Sequence, residues 1–416
     1  MDRYPGRGVE LKVAGRRHGR VTAPLLAFLS ACGIGDVEPT THVVTAPDGT
    51  ELVSTDWLPP WDDAQYQIPV HRVRSIGSGG NPSDPAQPAL FDPRAVARFP
   101  DGSLVVFDGG PNPLVRISST DSILGRFGAW GHGPAEIGTG YPWIWPSSDS
   151  TVAVVDITNQ MLKEFTFDGQ LSAETRLDYM GRARTPFYGS VPDRQALFAH
   201  FWYVGEREGE FRSLADSVRR VLPTPGPMVP LPAMSDESAL RAGRLGRPWP
   251  RFVPLADESI VTGKSSEAVF SIYTPGGALL RRISLPLVRR PIDAREHADL
   301  LREFRSIPGV GGGPTPEVNS HYPVFSNLYA LGDRGFAIEH GRRSLPDGDP
   351  VPADNIRFWR LVSTSGSFLG VVVLPEDFQT LSVHATGFWG VRIDAVGHPY
   401  LEEYLFDQPI SDGSGH

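Results

Sequence analysis

The sequence of 416 residues contains one cysteine, Cys32. A disulfide needs two thiols, so none can form within this chain, and packing alone must hold the fold together. Charged residues are also few, at 21 %, whereas 40 % of the residues are hydrophobic. This balance excludes a disordered chain and supplies enough apolar side chains for a globular core.

Signatures of the common enzyme classes are missing as well. The sequence contains no G-x-S-x-G nucleophile elbow, no Walker loop, no H-E-x-x-H and no zinc-spaced set of cysteines and histidines. No helix with an N-terminal Lys or Ser follows the glycine-rich loop at 128–140, so a tight crossing between structural units explains this loop better than a phosphate site does. These absences favour a binding or scaffolding protein over an enzyme.

Long hydrophobic runs are absent too, and the N-terminal one is short. A basic segment at 16–20 precedes an apolar run at 21–29, which is too short to span a bilayer and has the charge pattern of a signal peptide. The tetrapeptide LSAC at 29–32 then matches a lipobox. We therefore predict that residues 1–31 are a lipoprotein signal peptide and that Cys32 carries a lipid. The alternative is a lone buried cysteine in an N-terminal tail.

Positive charge is scarce once that segment is set aside. The whole chain carries a formal charge of −9, and residues 1–31 contribute six basic and two acidic side chains, which leaves −13 for the remainder. An acidic surface repels phosphate backbones, so we expect no nucleic-acid partner. Gly33, rather than Asp, follows Cys32, which favours the outer membrane in a Gram-negative cell. We expect a monomer in the cell envelope, at the outer membrane or periplasmic face, held by its lipid anchor only.

Glycine and proline are abundant, with 45 and 40 residues, and they are spread between short apolar runs. Many turns between many short elements are typical of an all-β fold. Runs at 95–99, 104–108, 114–118 and 123–127 predict four strands, and the Asp-Gly pair at 101–102 fits a hairpin turn between the first two.

An internal repeat indicates how such strands are organised. Residues 270–286 align without a gap with residues 359–375, and the turn glycines Gly277 and Gly366 coincide. Each segment predicts a strand, a glycine turn and a second strand that ends at a proline, which cannot continue the ladder. Four-strand units of 40–60 residues are typical of a β-propeller.

Six such units follow from the spacing, with the last one short of a strand. Their predicted bounds are 91–128, 141–178, 187–223, 250–286, 322–375 and 380–407. The missing strand of the sixth unit is predicted at 70–76, which would close the ring and cover an edge strand. A short helix is expected at 294–304. The resulting domains are a tether at 32–67, in which one added strand is expected at 50–57, a six-bladed β-propeller at 68–408 and a disordered tail at 409–416.

Four segments resemble the bacterial six-bladed β-propeller lipoproteins that are related to NHL-repeat proteins. They are DGSLVVFD at 101–108, GAWGHGPAEI at 128–137, WRLVSTSGSFLGVVVLPEDF at 359–378 and GVRIDAVGHPYLEEYLF at 390–406. The resemblance implies the fold, and it says little about function because many activities share this scaffold. Related metal-dependent hydrolases bind an axial calcium through Glu, Asn and Asp, which would make Asn327 and Asp92 candidate ligands. The alternative function is therefore a calcium-dependent lactonase-like or lyase-like enzyme that uses the axial channel, whereas the favoured binding function needs no cofactor.

The candidate ligand-binding residues lie at the predicted propeller face that bears the loops between second and third strands. Glu339-His340 followed by Arg342 is the most polar end of any predicted strand, and a cationic cluster there would hold a small anion such as a carboxylate or a sugar acid. The aromatic and histidine candidates on the same face are Trp143, Trp202 and His132. The alternatives are a solvated loop for the cations and blade-to-blade packing for the aromatic residues. An envelope protein is the alternative partner.

Overall fold

The computed structural model describes residues 39–77, 90–138, 143–156, 158–177, 251–306, 318–353, 355–408 and 410, together with the backbone of the strands between 188 and 250. These residues are mainly β-strand, with one α-helix, α1 (Ala294–Ser306). The prediction of a mainly β chain is therefore confirmed. No helix among the described residues is both long enough and apolar enough to cross a membrane.

Three strands precede the first complete sheet, namely β1 (Thr41–Thr45), β2 (Glu51–Thr55) and β3 (Val70–Gly77). The first sheet consists of β4 (Pro93–Arg98), β5 (Leu104–Asp108), β6 (Leu114–Ile117) and β7 (Ile123–Phe127). A short parallel pair, β8 (Ala129–Trp130) and β9 (Glu136–Ile137), leads to the second sheet. That sheet consists of β10 (Trp143–Ser148), β11 (Thr151–Asp156), β12 (Met161–Thr166) and β13 (Leu171–Arg176).

Four further sheets follow in the same antiparallel order. The third consists of β14 (Tyr188–Val191), β15 (Ala196–Arg207), β16 (Glu210–Leu222) and β17 (Val229–Pro230). The fourth contains β18 (Pro250–Pro254), β19 (Ile260–Lys264), β20 (Val269–Tyr273) and β21 (Leu279–Ser284). The fifth consists of β22 (Asn327–Ala330), β23 (Gly335–Gly341), β24 (Arg357–Ser363) and β25 (Phe368–Val373). The sixth contains β26 (Phe378–His384), β27 (Gly387–Ile393) and β28 (Pro399–Phe406).

The first strands of consecutive sheets contact one another in cyclic order, from β4 through β10, β14, β18, β22 and β26 back to β4. The described core lies between the faces of neighbouring sheets. One cluster joins the first and second sheets, another the fourth and fifth, a third the fifth and sixth, and a fourth the sixth and first. The first, fifth and sixth sheets each contribute to two of these clusters, so they bury apolar side chains on both faces.

The strand β3 occupies the fourth position of the sixth sheet, as the sequence predicts for residues 70–76. It pairs antiparallel with β28, from Phe406 opposite Val70 to Tyr400 opposite Gly77. The side chain of Ile76 is 1 % exposed in the cluster between the sixth and first sheets. A strand from the N-terminal part of the chain thus completes the last sheet.

The repeat found in the sequence corresponds to the third and fourth strands of two sheets, β20–β21 and β24–β25. Both turn glycines adopt a left-handed backbone, with φ of 83° at Gly277 and 91° at Gly366. This region of backbone space is costly for a residue that has a Cβ atom, which explains why glycine occupies both turns. The helix predicted at 294–304 is present as α1.

The predicted tether at 32–67 is wrong from residue 41 onward. The hairpin β1–β2 extends the fourth sheet, with β2 parallel to β21, and Val53 is 2 % exposed in the core beside Ile283. Further along, the Trp61 ring stacks on Phe358 at 5.3 Å. The strand expected at 50–57 is present as β2, but its place in the fourth sheet has no local signal, because the parallel pairing joins segments that are about 230 residues apart. The signal peptide at 1–31 and the anchor residue Cys32 lie outside the described residues.

The predicted disordered tail at 409–416 also needs a correction at one position. Ile410 is 4 % exposed and belongs to the core cluster between the fifth and sixth sheets. Its carbonyl accepts a hydrogen bond from the Arg334 guanidinium at 2.6 Å. Apolar burial therefore extends beyond β28, while 409 and 411–416 lie outside the described residues.

Candidate functional site

Two cavities lie along the first strands of the sheets, inside the ring of strand contacts. We call the first the apolar chamber, of ≈ 430 Å³, and the second the polar chamber, of ≈ 750 Å³. Both are lined by β22 and β26 and by residues in or next to β18. The polar chamber takes the N-terminal parts of these strands, which lie at the face that the sequence analysis favours for binding.

The polar chamber is lined by charged and hydrogen-bonding side chains from three sheets and α1. The described lining residues are Arg251, Glu303, Ser326, Asn327, Tyr329, Glu339, His340, Gly341, Arg342, Arg343, Ser344, Ile356, Arg357, Gln379 and Thr380. Four of them are arginines and two are glutamates, so the lining that the structure describes carries an excess of positive charge.

A buried carboxylate, Glu339, organises this lining. It lies on β23 directly opposite Asn327 of β22, and its side chain is 4 % exposed. The Tyr329 hydroxyl donates to Glu339 Oε2 at 3.1 Å, and Arg357 Nη1 donates to Glu339 Oε1 at 3.3 Å. Burial, followed by the charge of Glu339, raises the pKa of Tyr329, so the phenol keeps its proton. Glu339 thereby holds one tyrosine and one arginine in fixed positions.

A second cation comes from the fourth sheet. Arg251 of β18 donates from Nε to the Ser326 carbonyl at 2.9 Å. Burial lowers the pKa of Arg251, and nearby Tyr329 and Glu339 oppose that shift. A guanidinium keeps its proton in proteins, so Arg251 remains a cation in this wall of the chamber.

His340 does not supply the cation that the sequence analysis expects at this face. Its side chain is 0 % exposed, and its ring stacks on Phe358 at 5.0 Å, beneath Trp61. Nδ1 donates to the carbonyls of Val324 at 2.8 Å and Ser344 at 3.2 Å. Burial, and then the charge of Arg360, lower the pKa of His340 well below its usual value. The residue is a neutral core histidine, buried beside Phe358 and bonded to two carbonyls.

Arg342 does line the polar chamber, at the start of a 3-10 turn that spans Arg342–Ser344. Its carbonyl accepts from Arg290 at 3.2 Å. The next residue, Arg343, forms a two-pronged pair with Glu303 of α1, at 3.1 and 2.6 Å. Both partners are more than half exposed, so this pair is at the rim rather than in the wall.

The remaining candidates do not join this chamber. Trp143 lines the apolar chamber, together with Trp145. The His132 ring contacts the Asn159 carbonyl oxygen at 2.6 Å in an exposed loop, and His132 is not among the described lining residues of either chamber. Trp202 lies on β15, and its side chain is outside the described part of the chain. The predicted site therefore separates into a cationic part and an aromatic part.

The two candidate calcium ligands are also separated. Asn327 lines the polar chamber, whereas the Asp92 carboxylate accepts from Arg94 Nε at 2.7 Å. Asp108, another acidic residue at this face, is buried and accepts from the backbone amides of Phe91 and Asp92. Within the described ranges, no group of three or more His, Cys, Asp or Glu side chains could hold a metal ion.

The apolar chamber has one charged lining residue among those described, Arg98 at the end of β4. Arg98 Nη1 pairs with Glu403 Oε1 at 2.9 Å, and the two side chains are 49 % and 3 % exposed. Burial raises the pKa of Glu403, and Arg98 opposes that shift. His384 lies nearby, and burial, followed by Arg98, lowers its pKa to about 4. The Arg98–Glu403 pair closely matches the Arg357–Glu339 pair of the polar chamber, whose side chains are 50 % and 4 % exposed.

Sequence reasoning missed Arg357, Tyr329 and Arg251 as site residues. The alternation Asn327, Leu328, Tyr329 at the start of a predicted unit was the available signal, because residues two apart in a strand share a face. No local signal existed for Arg251, which reaches the chamber from another sheet.

Comparison with known proteins finds similarity to solved structures only. No protein-family model and no curated protein matches the sequence. The chain is similar to a member of the DUF4221 family from Bacteroides vulgatus, with 9 % identity, a TM-score of 0.46 and coverage of 82 % of this chain and 98 % of that chain. It is similar to a PQQ-bound aldose sugar dehydrogenase from Streptomyces coelicolor, with 14 % identity, a TM-score of 0.43 and coverage of 84 % and 99 %. It is also similar to a virginiamycin B lyase from Staphylococcus aureus, with 11 % identity, a TM-score of 0.37 and coverage of 88 % and 99 %. These similarities assign no activity to this chain.

Proposed function

We propose that this chain is a binding protein for a small anionic ligand, which it holds in the polar chamber of a closed, six-bladed β-propeller. The cyclic contacts of the six first strands support the closed ring. The excess of arginine over glutamate in the lining of the polar chamber supports the charge of the ligand. That excess is the observation on which the proposal depends.

The geometry of the wall suits a carboxylate. Arg357 and Arg251 are held on two different strands, and guanidinium groups bind carboxylates through charge-assisted hydrogen bonds. Asn327, opposite Glu339 in the ladder, adds an amide that can donate or accept. The role of Glu339 is positional, because it accepts from Tyr329 and Arg357 and so fixes where the remaining N–H donors of Arg357 point.

We further propose that the domain is anchored in the cell envelope by a lipid on Cys32. The support is the LSAC tetrapeptide after a short apolar run. The variant Cys32→Ser should lose palmitate labelling and leave the membrane fraction, because a serine cannot carry the thiol-linked lipid. Stable anchoring needs several acyl chains, and this variant would lack those that Cys32 carries. Membrane association of Cys32→Ser, with no labelling of the wild type, would contradict the anchor.

Anion binding is tested by calorimetric titration of the full chain with gluconate, a carboxylate small enough for the polar chamber. The variant Arg357→Gln should weaken binding by about 1.5–3 kcal/mol, the usual worth of a hydrogen bond to a charged group. The matched control is Arg98→Gln, which removes an equally exposed arginine from an equally buried glutamate in the other chamber.

The two variants separate the possible outcomes. A loss of affinity in Arg357→Gln but not in Arg98→Gln, with melting temperatures that agree, supports the polar chamber. If Arg98→Gln alone weakens binding, the anion lies in the other chamber. If gluconate, glucuronate and octanoate all fail to bind the wild type, the proposed function is wrong.

A further inference from the structure

We infer that the ligand is an amphiphile, namely a carboxylate with a chain of roughly six to ten carbons whose apolar body lies in the apolar chamber. This inference rests on the proposed anion binding, since the head group would occupy the polar chamber. The apolar chamber would be a second subsite, for the hydrocarbon part of the ligand. The reason is that the strands β22 and β26 line both chambers.

Consecutive residues of the same first strands line the two chambers. On β22, Tyr329 lines the polar chamber and the next residue, Ala330, lines the apolar one. On β26, Thr380 and Leu381 are divided in the same way. Consecutive strand residues point to opposite faces, so the division along the whole strand decides the arrangement. In the sixth sheet, 379–380 line the polar chamber and 381–385 line the apolar one, and in the fourth sheet Arg251 lines the polar chamber and 254–256 line the apolar one. The two chambers therefore follow one another along the strand direction.

The apolar chamber offers the surfaces that a hydrocarbon chain needs. Leu381, Val383 and Trp143 line it and are only partly buried by the protein itself. Val383 lies three positions after Thr380 on β26, which corresponds to at most about 10 Å along the direction from the polar chamber. That length accommodates a chain of several methylene groups.

A small polar anion would leave this second chamber to water. Its volume of ≈ 430 Å³ is within the range of pockets that bury most of a small ligand. The only charge in its described lining is Arg98, which already pairs with Glu403. The chamber therefore favours an uncharged, apolar body and gives no reason for a second head group.

The test is a calorimetric series of hexanoate, octanoate and decanoate on the full chain, below the concentrations at which they form micelles. Each added methylene should tighten binding about fourfold, the equivalent of ~0.8 kcal/mol, because it is removed from water. Arg357→Gln should weaken all three acids by the same factor, since it acts on the head group. Octanol, which lacks the carboxylate, should bind more weakly than octanoate to the wild type.

A filling variant tests where the chain lies. Ala95→Phe places a ring in the apolar chamber, which Ala95 lines, and should flatten the dependence of affinity on chain length. The control is Val396→Asn on an exposed loop, where the side chain is 76 % exposed, and it should leave that dependence as in the wild type. If Ala95→Phe does not fold, the chain-length series on the wild type still decides the question.

The results distinguish this inference from the proposed function. Gluconate binding through Arg357, with the three alkanoates equal in affinity, overturns the amphiphile and leaves anion binding intact. Chain-length dependence that is insensitive to Arg357→Gln, with octanol equal to octanoate, overturns the head-group placement. A fourfold step per methylene that Arg357→Gln shifts uniformly supports the inference.

Discussion

Closure of the ring by β3 makes a quantitative prediction about stability. Ile76 of β3 is 1 % exposed and packs in one cluster with Trp389 and Leu401 of the sixth sheet and Leu104 of the first. The variant Ile76→Ala should therefore destabilise the junction between the last and first sheets. Because the first and sixth sheets each share a second core cluster with their other neighbour, the loss should affect the whole domain and not the N-terminal strand alone.

The expected magnitude follows from the side chain that is removed. Ile→Ala deletes three buried carbons, which are worth about 2.4 kcal/mol at ~0.8 kcal/mol each. The cavity that remains adds to this, and measured losses for such changes are about 2–5 kcal/mol. The control on the same strand is Val73→Ala, at a position that is 41 % exposed, where the loss should stay below about 1 kcal/mol.

Urea unfolding followed by tryptophan fluorescence and by far-UV circular dichroism provides the assay. Both signals should shift together to lower urea in Ile76→Ala, because coincident transitions indicate one cooperative unit. An unchanged midpoint for Ile76→Ala, accompanied only by faster proteolysis near the N-terminus, would refute the closed ring. It would show that β3 frays on its own without support from the other sheets.

Two further predictions concern buried charge. Asp349→Asn should cost about 3–5 kcal/mol of unfolding free energy, because Asp349 binds Arg360 at 2.7 Å and that guanidinium is 1 % exposed. The control Glu303→Gln breaks an exposed pair and should cost at most about 1 kcal/mol. Equal losses for the two variants in urea unfolding would contradict this ranking. The folded-state pKa of His384 is lowered from 6.5 to about 4, so its contribution to stability is present above pH 6.5 and is lost as the pH falls toward 4. That loss amounts to at most about 3 kcal/mol, and His384→Gln should remove this part of the pH dependence of the melting temperature, whereas an unchanged profile would rule the histidine out.

The strands of the repeated units were accessible to sequence reasoning because their signals are local. A Gly at a left-handed turn position, as at Gly277 and Gly366, and period-two alternation beside it depend on a few neighbouring residues. The strand at 70–76 could be inferred by counting, since the last unit was one strand short. The predicted strands of the repeat are present as β20–β21 and β24–β25, and the predicted strand at 70–76 is present as β3.

The candidate site was less accessible because it depends on contacts between distant segments. His340 is followed closely by arginines in sequence and so resembled part of a cationic cluster, but it is buried against Phe358, on which Trp61 in turn stacks. Likewise, Arg251 approaches Glu339 from a different sheet. Neither the burial of His340 nor the approach of Arg251 produces a repeating pattern in the sequence. The positive charge of this face could therefore be predicted, whereas the residues that supply it could not.

The most direct test of the account is a crystal structure of the full chain with 4-bromobenzoate, in which the bromine can be located by its anomalous scattering. The account predicts that the carboxylate lies on Arg357 in the polar chamber and that the bromine points toward Val383 in the apolar chamber. A carboxylate on Arg98 or at the outer surface, with the polar chamber containing only water, would contradict it.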